Sequence, residues 1–335
     1  MKSPVTEIKQ EATRLGFDVC RVASVATSPH YAEFLDWLKS GAHGEMLWLA
    51  KNPERRRDPR ELMPDCRSLI LTGTNYFQQD LPQRGRVATY ALGRDYHDRI
   101  GSALKQLSLW IEQQYGGHQR PFVDSSAVME KPWAMRAGLG WQGKNTMLIH
   151  RRLGNWLSLG GLLTSLDLEP DPPETDHCGS CSRCLQACPT QAITAPYQLD
   201  ARRCLAYLSI EHPGPIPLEY RRPMGDRLFG CEDCLSVCPW NRWAQATRDA
   251  HFQALPRPDL REMLAWDDSQ FRQHYRGTPI FRLKHSRWLR NICVVLGNVG
   301  GPDDLPALNQ AGDSSDPLIR EHALWAISEI RQRQM

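Results

Sequence analysis

The chain has 335 residues, 41% of them hydrophobic, and a formal net charge of only +3. That length suits two or three domains rather than a single core. No apolar run is long enough to span a bilayer, the first residues lack the apolar region of a secretory signal, and the bulk charge announces no polyanionic partner. We therefore expect a soluble, cytoplasmic protein with no membrane contact, most simply a monomer.

Val5, Ile8, Ala12 and Leu15 recur at helical spacing ahead of Gly16, which suits a C-cap. Residues 17–22 alternate and predict a strand. A helix over 31–50 is interrupted around Gly41 and Gly44, and 68–72 predicts a short buried strand. Ile100, Leu104, Leu107 and Ile111 mark a helix ended by Gly116 and Gly117. A strand at 121–124, a helix at 127–137 and strands at 146–150 and 156–163 complete a mixed α/β (α+β) domain, placed at 1–167.

Two features of this first region bear on chemistry. Asp124 reads locally as part of the cap of the helix that follows, since Asp and Ser are preferred there. Its other reading is a proton donor, kept protonated near neutrality if desolvated against an apolar cofactor face. Gly138, Gly140 and Gly143 fit G-x-G-x-x-G. However, a helix precedes and a strand follows, the reverse of a dinucleotide site. We expect instead a loop shaped for another flat or bulky ligand.

After a turn-rich break at 170–174 come eight of the eleven cysteines. Cys178, Cys181, Cys184 and Cys188-Pro189 have the spacing C-x2-C-x2-C-x3-C-P, in which the fourth thiolate ligates the other cluster of a two-cluster ferredoxin. Cys231, Cys234 and Cys238-Pro239 repeat its ending, and Cys204 fills the missing place. The spacing assigns Cys178, Cys181, Cys184 and Cys238 to one 4Fe–4S cluster, and Cys188, Cys204, Cys231 and Cys234 to a second. Zinc also takes paired C-x2-C ligands but leaves the x3-C-P endings unexplained. A purely structural role for the clusters stays open. Metal spacing rather than disulfide spacing suits a reducing compartment, and Cys20, Cys66 and Cys293 read as small buried hydrophobes. The module is placed at 168–245, with an insertion at 197–230 free to reach a substrate or cofactor.

Region 246–335 is helical, and its last helix, after Asp316-Pro317, resembles half of a HEAT-type repeat. From Ser269 to Pro302 there is no acid, while Arg272, Arg276, Arg282, Lys284, Arg287 and Arg290 all fall inside. With no acids to form i,i+4 pairs, and with Tyr275, Phe281 and Trp288 interspersed, the pattern suits a polyanion, although a solvated helical face would look similar.

The block Phe122-Val-Asp124-Ser-Ser-Ala-Val-Met-Glu130-Lys-Pro-Trp-Ala-Met-Arg-Ala-Gly-Leu-Gly-Trp-Gln-Gly143-Lys144-Asn145 resembles the epoxyqueuosine reductases. So do His43-Gly-Glu-Met-Leu-Trp, Tyr90-Ala-Leu-Gly-Arg-Asp-Tyr96-His97, Asp200-Ala-Arg-Arg-Cys204, and Gly230-Cys-Glu-Asp-Cys with Cys238-Pro-Trp-Asn. The resemblance implies a cobalamin-dependent iron–sulfur oxidoreductase. Such an enzyme removes the epoxide oxygen of epoxyqueuosine at the tRNA wobble position, the last step of queuosine biosynthesis, with electrons from an external low-potential donor. It implies cobalamin between the α/β domain and the cluster module, and the anticodon stem-loop on the C-terminal helices. It puts the proton donor on Asp124, against the local capping reading. Cobalamin contacts fall on Lys51, Val123, Asp124, Met147, Ser158, Ala206 and Glu232. Glu211 falls on the substrate side, with Arg282, Lys284, Arg287 and Arg290 on tRNA. Two other readings fit the cysteines: a non-catalytic electron carrier, and another corrinoid iron–sulfur reductase such as a dehalogenase.

Overall fold

Strand β2 (Ser68–Asn75) is buried along its whole length and sets the plan of the N-terminal region. The computed structural model describes residues 2–78 and 83–335. In it β1 (Val19–Ser24), β2, β3 (Gln119–Phe122) and β4 (Leu157–Thr164) form one sheet in the order β1–β2–β4–β3. Every neighbouring pair is antiparallel. Because successive side chains point to opposite faces, Ile70 packs beneath Ile8, Ile100 and Leu104, on the helices Pro4–Arg14 and Tyr96–Tyr115. Leu69 and Leu71 face Trp133 and Ala134 of the helix Glu130–Arg136 on the other side. A strand covered on both faces reads as a continuous apolar run, as Leu69-Ile-Leu does.

Several expected elements are shorter than their patterns. The helix at 31–50 divides into Tyr31–Lys39 and Leu47–Ala50, with Gly41 and Gly44 at φ +68° and +58° between them. A Cβ on Gly44 would stand 2.5 Å from the Tyr207 hydroxyl, which accepts the Glu45 N–H at 2.7 Å. The strand at 146–150 contracts to Leu148–Ile149, paired with Trp141–Gln142. The glycines of the motif permit close packing of the chain: a Cβ on Gly140 would lie 2.2 Å from the Ile149 carbonyl oxygen, and one on Gly138 2.1 Å from that of Pro172.

The C-terminal helices Leu260–Leu264, Asp268–Tyr275, His285–Val299, Leu305–Gly312 and Pro317–Gln332 share one apolar core, which also takes in Ala91, Leu228 and Phe229. The short strand Arg227–Phe229 pairs in parallel with Arg86–Val87, so all three regions interlock. Among the described residues no helix is long and apolar enough to cross a membrane.

The 197–230 insertion is not free. It carries the helices Leu205–Ile210 and Leu218–Met224 and is stapled to His285–Val299. Arg290, fully buried, donates to the carbonyls of Leu208 (3.0 Å), His212 (2.8 Å) and Gly214 (2.7 Å). Asn291 donates to those of Ser209 and Leu228. Buried His322 accepts the Ile216 N–H at 3.1 Å. Arg290 is therefore an internal clamp and not a tRNA ligand, a correction that follows from its burial. Burial lowers its pKa to about 9, which still leaves it charged at neutrality. Replacing it with Met strands buried carbonyl acceptors and should cost about 3 kcal/mol, read as a lower urea midpoint. Unchanged stability with weakened tRNA binding would restore it as a phosphate ligand.

Candidate active site

Asp124 lies just past β3 at φ +49°, in the left-handed region. It does not cap the next helix, whose N-cap position is Met129. Instead its carboxylate turns to the opening of the Tyr96–Tyr115 helix. There Oδ2 accepts from the Tyr96 hydroxyl at 2.8 Å and pairs with His97 Nε2 at 3.1 Å. Asp95 caps this helix through the His97 N–H and lies 2.9 Å from His97 Nδ1, and Arg282 pairs with Asp95 in turn. The backbone N–H of Asp124 donates to Glu130 Oε1 at 2.6 Å, which anchors the strained residue.

The proton sits on His97 rather than on Asp124. The His97 hydrogen bond, with help from Tyr96, holds the Asp124 carboxyl below its ordinary range against the opposing effect of burial. Burial disfavours charge on His97, yet hydrogen bonds to Asp124 and Asp95 raise it to about 9. The expected raised carboxyl is thus not at Asp124 but at Glu130, which burial pushes up to about 8. A folded His97 value above the unfolded 6.5 means that its contribution to stability is complete below that pH and is lost as pH rises through about 9. Histidine NMR should find His97 titrating near 9, and lower in an Asp124→Asn chain. A value near 6.5 in the unsubstituted chain would contradict the pairing.

Tyr90 draws together residues that lie far apart in sequence. It stands edge-on to Tyr96 at 5.9 Å, and Glu232, Glu211 and Asp124 are the charges that, after burial, raise its pKa. Glu232 accepts from the Thr89 N–H and hydroxyl. Lys131, lowered by burial, feels Glu130, Asp124, Cys234 and Cys204, so it lies between the carboxylates and the second cysteine set. Its Nζ is 3.5 Å from Met147 Sδ. Val123 adjoins Asp124, and Ala206 follows Cys204 on the helix Leu205–Ile210. Ser158 faces Thr74 across the sheet, while Lys51 is exposed, with no ion pair among the described residues. Glu232 also lines a cleft of 350 Å³ with Phe77, Thr89 and Trp156, whose buried Nε1 has no partner among the described residues. The orphaned N–H suits a polar arm of a bound cofactor.

The eight module cysteines are all free thiols. Cys178, Cys181, Cys184 and Cys238 line one cavity. Cys204, Cys231 and Cys234 influence one another electrostatically, and Cys188 acts on both Cys204 and Cys234. Cys184 also acts on Cys234, so the two sets adjoin.

Comparison with known proteins is decisive. The "4Fe-4S double cluster binding domain" model matches residues 177–241, and the "Epoxyqueuosine reductase QueG, DUF1730" model matches residues 56–125. A Xanthomonas campestris epoxyqueuosine reductase is 43% identical over 336 residues, covering 96% of this chain and 95% of its own length. The chain belongs to the epoxyqueuosine reductase family. The Escherichia coli epoxyqueuosine reductase is 39% identical over 340 residues, covering 98% of this chain and 90% of its own. An epoxyqueuosine reductase solved with an epoxyqueuosine-modified tRNA-Tyr stem loop superposes with a TM-score of 0.91 at 29% identity, over 97% of this chain and 89% of that one. A Bacillus subtilis epoxyqueuosine reductase, solved with its catalytic aspartate loop swung out of the active site, gives 0.89 at 28% identity, over 97% and 90%. Like these relatives, the chain is an oxidoreductase with a two-cluster 4Fe–4S module.

Sequence reasoning alone gave no role to Tyr96, His97, Glu130 or Lys131, although all four stand inside the quoted family blocks. It also overcounted free cations. Arg282 is tied to Asp95, and Arg287 donates to the carbonyls of Leu283, Ile210 and Glu211. Lys284 remains exposed, as do Arg272 and Arg276.

Proposed function

We propose that this chain reduces epoxyqueuosine to queuosine at the wobble position of tRNA, with Asp124 delivering protons to the departing oxygen. The observation that carries this reading is the Asp124–His97–Asp95 array beside a residue, Lys131, that links it to the second cysteine set. Removing the epoxide oxygen as water to leave an alkene takes two electrons and two protons. Cobalamin, when bound, supplies a low-potential metal centre for that reduction. Lys51, Val123, Asp124, Met147, Ser158, Ala206 and Glu232 are the residues that would hold it.

The chain's own residues manage the protons. His97 Nε2 passes its proton to Asp124, which delivers it to the reacting oxygen, and Glu130 holds a second proton at neutral pH. An acid aimed at the leaving oxygen matters because expelling an alkoxide unassisted is costly. The mobile catalytic aspartate loop of the Bacillus subtilis relative supports a loop residue in this role. Cys178, Cys181, Cys184 and Cys238 hold one cluster, and Cys188, Cys204, Cys231 and Cys234 the other. Residues 1–167 form the cofactor domain, 168–245 the cluster module and 246–335 a HEAT-like appendage. Glu211, Arg282, Lys284 and Arg287 border the anticodon loop. Arg287 contributes by ordering the carbonyls around Glu211.

The test is nucleoside mass analysis of epoxyqueuosine-bearing tRNA after anaerobic incubation with the reconstituted, reduced chain. The wobble nucleoside should become one oxygen lighter. An unchanged nucleoside with clusters reduced would favour the electron-carrier reading.

A further inference from the structure

Electrons must reach the two cysteine sets from outside, and the surface around the first set has the chemistry of a docking face. Arg183 and Arg242 line a cleft beside Cys238 and Pro239, and Arg152 and Trp243 line an adjoining one of 880 Å³ with Trp240. Trp240 also walls the cavity that holds Cys178, Cys181 and Cys184, so the two clefts flank one cluster site. Arg152, Arg183 and Arg242 are exposed and form no ion pair among the described residues. Of the acids nearby, Glu174 pairs with Arg151 and His177, Asp176 accepts from the Tyr197 hydroxyl, and Asp18, which lines the larger cleft, accepts the Asn75 N–H. Trp243 is 44% exposed, with the Arg242 guanidinium stacked 3.7 Å above its ring. Exposed Trp and Arg side by side are the residue types that dominate binding hot spots.

We propose that Arg152, Arg183, Arg242 and Trp243 form the docking face for an acidic, one-electron carrier protein that reduces the cluster held by Cys178, Cys181, Cys184 and Cys238. This rests on the cluster assignment and not on the tRNA reaction. In each encounter the carrier is oxidised by one electron and the cluster is reduced by one, with no bond made or broken. A chain of net charge +3 has little general pull on an acidic protein, so the local concentration of unpaired arginines sets where the carrier lands.

The test measures the rate at which a reduced flavodoxin, an acidic FMN protein, bleaches the iron–sulfur absorption of the reconstituted chain without tRNA. Arg152→Glu, Arg183→Glu and Arg242→Glu together should slow reduction about 10- to 100-fold at low salt, the scale of electrostatic steering. The difference should shrink in about 0.5 M salt, where the Debye length is only a few ångströms. Reduction by the methyl viologen radical cation should not slow, which shows that the cluster is intact. Should the reversal variant lose iron, the Arg152→Gln, Arg242→Gln pair should show a smaller slowing of the same kind. An unchanged flavodoxin rate overturns the proposal. So does an unchanged rate with lost stem-loop affinity, which would make the face a nucleic-acid surface. Slowed cluster reduction with no epoxide reduction in any variant would leave the docking face standing and fail the tRNA reading alone.

Discussion

Asp124→Asn should retain both clusters, the corrinoid and the tRNA while losing about 100- to 10,000-fold in turnover, the usual contribution of a positioned acid. The amide keeps the size of the carboxylate and can still accept from the Tyr96 hydroxyl. What it cannot do is pass on the proton that His97 holds at its Nε2, 3.1 Å away. The loss should therefore fall on the chemical step, visible in a single turnover with saturating tRNA, and not on stem-loop affinity. Turnover within a few-fold of the unsubstituted chain would remove Asp124 from the mechanism. Glu130, with its pKa near 8, would then be the acid to examine next.

Pairwise cysteine replacement separates crossed from uncrossed ligation as sharply. If Cys238 completes the set of Cys178, Cys181 and Cys184, then the Cys178→Ala, Cys238→Ala pair destroys one cluster and leaves about four irons per chain. The Cys204→Ala, Cys238→Ala pair destroys both and leaves almost none. Uncrossed ligation reverses the two outcomes, because Cys238 would then share a cluster with Cys204. The common cavity of Cys178, Cys181, Cys184 and Cys238 favours the crossed result.

What could be read from the chain alone was whatever short spacing encodes. Cysteines separated by two and three residues mark a two-cluster module, and Leu69-Ile-Leu or Ile100 with Leu104 state their elements through local periodicity. Pairing across the sheet is a different matter. The order β1–β2–β4–β3 joins strands some ninety residues apart, as in Thr72 against Gly160, and no local pattern carries it. The same limit hid the active-site array. Asp124 meets Tyr96 across 28 positions, and Arg282 meets Asp95 across 187. Arg290 misled for a physical reason: a cation is expected at the surface, yet this one is buried because three backbone carbonyls take its protons. Family blocks contained the missed residues but did not say which of them touch.

Dependence on loading tests the central claim most directly. Epoxyqueuosine-bearing tRNA is incubated anaerobically with reductant and either the chain carrying clusters alone or the chain carrying clusters and cobalamin, and the wobble nucleoside is weighed. The account predicts queuosine only from the fully loaded chain. Conversion without cobalamin, or none with both cofactors bound and reduced, would contradict it.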